Sequence, residues 1–259
     1  MELEYLEYHV SHHCNLNCKG CGHLSNLVWE ASFGSIDQYR KDLLRLRELF
    51  DNIKTIRLMG GEPLLNPECD RFICETRNIF PKTRLLLVTN GLRIPKMGKV
   101  FFEVVRSADC TIQVSMYEPT RKMIDEIQKI CEQEEVKLEK IPVSKEMFFK
   151  QLDLHGKNDP DRSFSGCYSQ KCTYLEDGKL SVCCAPLLSH RFSGEFYVEI
   201  AVDSEDYIDI WEKDITAGQI LEMLNHSIPF CRYCSENKQW FQWQKVGHKV
   251  ALEDWVINS

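Results

Sequence analysis

VSHHCNLNCKGCGHLSN, residues 10–26, sets Cys14, Cys18 and Cys21 within eight positions, and the next cysteine is Cys69. The stretch follows an alternating run over residues 3–10 that reads as a β-strand. Three thiols on one short loop describe a metal site left open on one side. Structural zinc takes four protein ligands, so His12, His13 or His23 would have to complete a zinc site. Iron–sulfur clusters are also held by thiolates, and a cubane with three protein ligands leaves one iron for an outside molecule. Spacing alone leaves both possibilities open.

Outward from this loop, short β-like runs alternate with amphipathic helical ones. A helix is expected over residues 36–50, with Ser35 and Gln38 as a capping box and Leu43, Leu44, Leu46 and Phe50 on its apolar face. Strands follow at 55–59, 84–89, 111–115 and 136–141, and helices at 68–79, 98–106, 119–134 and 144–152. Such alternation means parallel strands joined by crossover helices, in an open sheet or a full or partial barrel. Ligands of these folds sit at the C-terminal ends of the strands. The cysteine loop, MGGEP (59–63), TNG (89–91) and SMYEP (115–119) all fall there, which argues for one active site on one rim.

Residues 155–166 read as a linker, dividing the chain into domains at 1–155 and 156–259. Beyond it the β/α rhythm stops. Residues 172–184 form a hairpin turning at Asp177-Gly178, a helix is expected over 217–225, and QWFQWQKV (239–246) reads as a helix laying Trp240, Phe241 and Trp243 on the core.

The chain has 259 residues, 43% of them hydrophobic, and a formal net charge of −7. That balance offers no basic field for nucleic acid or an anionic membrane. The acidic start MELEYLEYHV lacks the pattern of a signal peptide, and no apolar stretch is long enough to span a bilayer, so a cytoplasmic protein is expected. In that reducing compartment, 13 cysteines point to metal or redox chemistry rather than disulfides. Cys69, Cys74, Cys110 and Cys131 are scattered singly and read as small buried hydrophobes; the other nine are clustered.

CNLNCKGC resembles the CxxxCxxC signature of radical S-adenosylmethionine (radical SAM) enzymes. RLMGGEPLLNP (57–67) is similar to that family's glycine-glycine-glutamate motif, and LLLVTNG (85–91) and IQVSMYEP (112–119) resemble later strands of its barrel. One position departs: the residue before the last cysteine is often aromatic in the family and here is Gly20. The resemblance implies an α/β fold, a partial (β/α)6 TIM-like barrel followed by a small C-terminal module. It implies a 4Fe-4S cluster on Cys14, Cys18 and Cys21, whose fourth iron is chelated by S-adenosylmethionine. One-electron reduction then yields a 5′-deoxyadenosyl radical that abstracts a hydrogen atom from substrate. Gly60 and Gly61 would let the backbone approach the methionine moiety, Glu62 and its neighbours would receive the ammonium group, and Ser115 or Asn90 would contact the ribose. An electron donor such as flavodoxin or ferredoxin is implied as partner.

A second set comprises Cys167, Cys172, Cys183, Cys184, Cys231 and Cys234. With the turn at Asp177-Gly178, Cys172 and Cys183 come out nearly opposite across the hairpin, and Cys231-x2-Cys234 could complete a four-thiolate site for zinc or an iron–sulfur cluster. Cys167-x10-Gly178-x4-Cys183 with a closing CxxC is similar to the auxiliary-cluster twitch module, a shortened form of the SPASM extension of radical SAM enzymes. That match implies a second (auxiliary) 4Fe-4S cluster and favours Cys167 as first ligand, where hairpin geometry favours Cys172. Cys184 is either structural or a hydrogen-atom donor.

The first strand begins at about residue 3, leaving no N-terminal leader-binding domain of the kind peptide-modifying members often carry. The compactness resembles the twitch enzyme that dehydrogenates an aminocyclitol alcohol. The expected substrate is therefore a small polar molecule, sugar- or cyclitol-like, undergoing dehydrogenation or epimerisation, with His155, His190 or His226 available as bases. A peptide maturase, and a non-catalytic iron–sulfur or zinc protein, are the alternative readings.

Overall fold

The structure, a computed structural model, describes residues 1–143, 148–247 and 249–258. The chain divides into two compact units, Met1–Cys14 with Ala31–Ser144, and Asn15–Glu30 with Lys145–Ser259. The division thus falls before residue 155, and the second unit also takes the middle of the cysteine loop.

The first unit runs β1 (Glu2–Ser11), α1 (Ile36–Leu49), β2 (Asn52–Gly60), α2 (Cys69–Ile79), β3 (Arg84–Thr89), α3 (Lys99–Ser107), β4 (Thr111–Met116), α4 (Glu118–Arg121), α5 (Ile124–Gln133) and β5 (Leu138–Pro142). Each strand pairs in parallel with the next. A doubly wound sheet reverses its strand order at a switch point; here the order 1-2-3-4-5 never reverses, which is the winding of a partial TIM-like barrel.

The two faces of this sheet differ in chemistry. Leu6, Tyr8, Val10, Ile56, Leu58, Leu85, Leu87, Ile112 and Val114 are all buried and share one face by register. Tyr8 packs there, tilted, against Tyr39 of α1 and stacks on Phe72 of α2, so this is the helix-covered side. Burying each such side chain contributes roughly 1.5–3 kcal/mol. The opposite face carries a polar chain: Arg57 donates to Glu7 Oε1 (3.3 Å) and to Gln113 Oε1 (2.8 Å), and Gln113 donates to Glu139 Oε2 (3.0 Å). Glu7 and Gln113 are buried and are carried by this network, as buried polar groups require.

Several local expectations are corrected. Ser35 Oγ accepts from Gln38 N, but the Gln38 side chain turns to Asp42, so only half of the capping box forms. Leu44 points outward, 46% exposed; Ile36, Tyr39, Leu43 and Leu46 make the buried face of α1. The helix expected over 119–134 divides into α4 and α5, with Thr120 Oγ1 tying the first turn to the Asn90 carbonyl (2.7 Å). Of the helix expected over 144–152, residues 144–147 lie outside the described residues, and Phe149–Asp153 is a strand.

That strand, β6, belongs to the second unit with α6 (Pro160–Ser165), β7 (Tyr174–Glu176), β8 (Lys179–Ser181), α7 (Ala185–Phe196), β9 (Ile208–Asp209), α8 (Ala217–Leu224), β10 (Cys234–Trp240) and β11 (Val256–Asn258). β6 lies between β10, antiparallel to it, and β11, parallel to it; β7, β8 and β9 pair antiparallel. The hairpin turns at Asp177 (φ 47°) and Gly178 (φ 77°), the left-handed pair of a type I′ turn. The linker expected at 155–166 contains α6, capped by Asp159 with Pro160 in its first turn. The tail expected as a helix over 239–246 is not helical: Gln239 and Trp240 end strand β10, Lys245 forms an isolated bridge to Cys18, and Trp240 is 53% exposed.

Candidate functional site

Parallel strands bring the exits of β1, β2, β3 and β4 to one rim of the first unit. At the end of β2 the chain is stitched to the exit of β1: Gly61 N donates to Ser11 O (2.8 Å) and Glu62 N to His13 O (3.0 Å). The approach is so close that a Cβ at Gly60 would overlap the Ser11 carbonyl, and one at Gly61 the His13 carbonyl, just before Cys14. Gly60 also has φ +127°, a conformation open to glycine.

Glu62 is fully buried. Its Oε1 accepts from Leu64 N (3.0 Å) and Thr89 Oγ1 (2.6 Å), and its Oε2 from Asn90 N (2.8 Å). Burial pushes its carboxyl up to about 7 against the pull of these three donors. Through these three bonds Glu62 joins the exits of β2 and β3. Asn90, held by that bond and by an Asx turn to Leu92 N, directs its Nδ2 at Cys14 Sγ, 3.9 Å away. Ser115 stands half-buried near the end of β4.

The rest of the cysteine loop is built within the second unit. Trp243 Nε1 donates to Cys18 Sγ at 3.1 Å, and Asn26 Nδ2 holds the Cys18 carbonyl at 3.0 Å. Trp255 Nε1 donates to Cys21 O at 2.9 Å, and burial raises the Cys21 thiol above its ordinary range. Gly20 has φ +55°, and a Cβ there would lie 2.6 Å from Asp254 O and 2.8 Å from Phe241 Cζ. The family's aromatic residue has no room at this position. Of the histidines that could complete a zinc site, His13 packs its ring edge-on against Phe33 with Nδ1 near Ser32, and His23 Nδ1 lies 3.8 Å from Cys184 Sγ.

Five thiols of the second set interact through their charges. Cys183 is raised well above the ordinary thiol range by burial, then by Cys184, Cys234 and Cys167. Cys234 is pushed up to about 12 by burial and by Cys167 and Cys231, and Cys231 is raised by burial and by Cys167. Cys167 Sγ accepts from Ser169 N at 3.3 Å, and Gln151 Nε2 reaches Cys234 Sγ at 3.9 Å. Cys172 lies in the turn after Cys167, its N–H donated to Ser169 O. Among the described residues no group of three or more His, Cys, Asp or Glu side chains is placed to hold a metal ion. Of the single cysteines, Cys69, Cys110 and Cys131 are buried as expected and Cys74 is half-buried. His155, His190 and His226 are all exposed.

What sequence reasoning missed are the partners of the sulfurs: the aromatic spacing puts Trp243 on a helix, and nothing in the cysteine spacing points to it. These residues fit an iron–sulfur site in their donor chemistry, thiols met by N–H donors, and in the glycine cradle beside Cys14.

A Radical SAM superfamily model matches residues 8–141, just over half of the chain, and the protein belongs to that superfamily. Membership implies a 4Fe-4S cluster and S-adenosylmethionine. The chain is similar to the GTP 3′,8-cyclase of Clostridium acetobutylicum, 34% identical over 98 residues that cover 38% of this chain and 30% of that one. It is also similar to the GTP 3′,8-cyclase of Nautilia profundicola, 29% identical over 106 residues covering 38% and 31%. The chain thus spans less than a third of the length of these curated relatives. In fold it is similar to BtrN in complex with AdoMet and 2-DOIA, with TM-score 0.50, 16% identity, and 90% of this chain and 92% of that one covered. It is similar too to a histidine-tagged anSMEcpe with bound AdoMet, with TM-score 0.53, 12% identity, and 90% and 83% covered. Among the described residues no helix is long and apolar enough to cross a membrane.

Proposed function

We propose that Cys14, Cys18 and Cys21 hold the S-adenosylmethionine-binding cluster, that Cys167, Cys183, Cys231 and Cys234 hold a second one, and that the protein dehydrogenates a small polar, hydroxyl-bearing substrate. The observation that carries this reading is the second thiol set. Burial first, and then the charges of neighbouring cysteines, favour the protonated thiol at Cys183, Cys231 and Cys234; metal binding releases such protons. Cys167 rather than Cys172 is the first ligand in this reading, because its charge acts on all three of the others. The chemistry the bound groups supply is hydrogen-atom abstraction and one-electron transfer.

The chain's own residues do the positioning. Gly60 and Gly61 bring backbone to the exit of β1 without side chains in the way. Glu62 fixes the TNG turn, so that Asn90 faces Cys14, and Ser115 stands at the same rim for a ribose hydroxyl. A small-molecule substrate accords with the BtrN complex, which holds 2-DOIA; the cyclase activity of the curated relatives comes from proteins this chain matches over only part of their length.

A second reading is epimerisation, favoured by Cys184, whose half-buried thiol lies 3.8 Å from both Gly22 O and His23 Nδ1 of the cysteine loop. There Cys184 would return a hydrogen atom to the substrate. Both readings are tested on protein prepared without oxygen. About eight irons with matching sulfide are expected of two thiolate-bound cubanes, and 5′-deoxyadenosine should form with reductant and a responsive sugar or aminocyclitol. In deuterated buffer, an oxidised product without solvent deuterium supports dehydrogenation, and deuterium in recovered inverted substrate supports epimerisation. Zinc without sulfide would overturn both.

A further inference from the structure

We propose that Trp243 sets the reduction potential of the cluster on the first cysteine loop by donating its indole N–H to Cys18 Sγ; this rests on the assignment of Cys14, Cys18 and Cys21 as cluster ligands. The distance from Nε1 to Sγ is 3.1 Å, and Cys18 is buried. The donor is not placed by its own side chain alone. Main-chain bonds on either side of Cys18, from Lys19 N to Gln244 O (2.9 Å) and from Val246 N to Asn17 O (2.8 Å), lock residues 243–246 against the loop, with an antiparallel bridge between Cys18 and Lys245. Further along, Trp255 Nε1 holds Cys21 O and Asp254 pairs with Lys19 at 3.4 Å. The C-terminal segment thus grips the loop at three successive points and fixes one indole on one sulfur.

Indole N–H is a donor only. It therefore stabilises a sulfur in proportion to the negative charge that sulfur carries, and a cluster carries more of it when reduced. Hydrogen bonds to the sulfurs are among the protein's means of setting cluster potentials, and outer partners of metal ligands tune the metal generally. Trp243 is a positioning residue in this sense: it acts through Cys18 and makes reduction of the loop cluster easier.

The test uses the full chain, loaded with iron and sulfide without oxygen. Potentiometric titration is followed by electron paramagnetic resonance on the component whose spectrum changes when S-adenosylmethionine is added, which separates the loop cluster from any other. Trp243→Phe keeps an aromatic ring and removes the N–H. At the wild-type midpoint its ratio of reduced to oxidised loop cluster should fall about tenfold, which corresponds to 59 mV for a one-electron couple, with iron content unchanged. Wild-type protein carrying tryptophan labelled with ¹⁵N in the indole should also show one nitrogen coupling on the reduced cluster, a measurement that needs no variant to fold. A Trp243→Phe midpoint equal to that of wild type, or no such coupling in wild type, overturns the proposal while leaving the cluster assignment intact. Wild-type protein with no component that responds to S-adenosylmethionine overturns the cluster assignment itself, and the proposal with it.

Discussion

Replacement of Glu62 separates a residue that holds the rim together from one that serves the cofactor alone. Glu62→Ala leaves Leu64 N, Asn90 N and Thr89 Oγ1 without their shared acceptor in a fully buried place. Each buried donor so stranded costs about 1–3 kcal/mol, so with three of them the variant should lose about 6 kcal/mol, a large part of a typical 5–15 kcal/mol. At roughly 2–4 °C per kcal/mol for a chain of this size, the melting temperature of the apoprotein should fall by about 12–24 °C. Glu62→Gln keeps one oxygen for Leu64 and Thr89 but turns an amide toward Asn90 N, so a loss of about 1–2 kcal/mol is expected from one broken bond. The pH dependence adds a second signature. The folded carboxyl titrates near 7, raised by burial from 4.5, so the folded chain holds a proton that the unfolded chain gives up between these values. Its stabilisation is complete below pH 4.5 and is lost as the pH rises through 7, by about 3 kcal/mol in all. Glu62→Gln removes that titration, so its melting temperature should fall less steeply than that of wild type from about pH 5 to pH 8. Thermal melts of the three apoproteins across this range test the argument. A Glu62→Ala melt indistinguishable from wild type, or equal pH slopes for Glu62→Gln and wild type, would refute it.

Other substitutions address the remaining assignments. Cys167→Ala should lower the iron content from about eight to about four per chain, as loss of one cubane requires, whereas Cys172→Ala should leave it unchanged; equal effects would remove the distinction between them. Gly61→Ala puts a Cβ against the His13 carbonyl and should displace the exit of β1, seen as poor iron retention by the loop while the second cluster still loads; full retention would show that the backbone can give. Under the epimerisation reading, Cys184→Ala should still form 5′-deoxyadenosine but fail to place solvent deuterium in the substrate, and continued incorporation would assign the donor elsewhere.

The first unit was legible because its signals are local. The 3.6-residue and two-residue periods of α1–α3 and β1–β5 recur in the described structure within a few residues of their expected bounds, and the turn at Asp177-Gly178 needed only two residues with positive φ. The failures are long-range. Phe149–Asp153 carries no clean period, and its strand character comes from partners in β10 and β11, far along the chain. Residues 239–246 misled for the same reason: closely spaced aromatics suit a helix face, but here backbone pairing with β6 and with the cysteine loop sets their conformation. The helix α6 was readable in principle, since Asp159-Pro160 is a capping residue followed by proline at the first helical position; the surrounding polar residues hid it. In the candidate site the thiols and glycines were visible by spacing, whereas the donors to their sulfurs, Asn90 and Trp243, belong to distant segments that only the fold brings there.

Gly20 joins the two levels. In the sequence it is the one departure from the family's pattern, a missing aromatic beside the last cysteine. In the structure it has a left-handed φ and faces Asp254 O and Phe241 Cζ at distances no Cβ tolerates. The space a side chain would have taken is filled by the C-terminal segment, with Lys19 also lying 5.7 Å from the Phe241 ring centre. The same segment carries Trp243 to Cys18 and Trp255 to Cys21. The absence of a side chain at position 20 is therefore the condition for a close approach elsewhere: a larger residue would push the tail off the loop and take the indole away from the sulfur. A departure from a family motif reads in this chain as the local mark of a different partner for the cysteine loop.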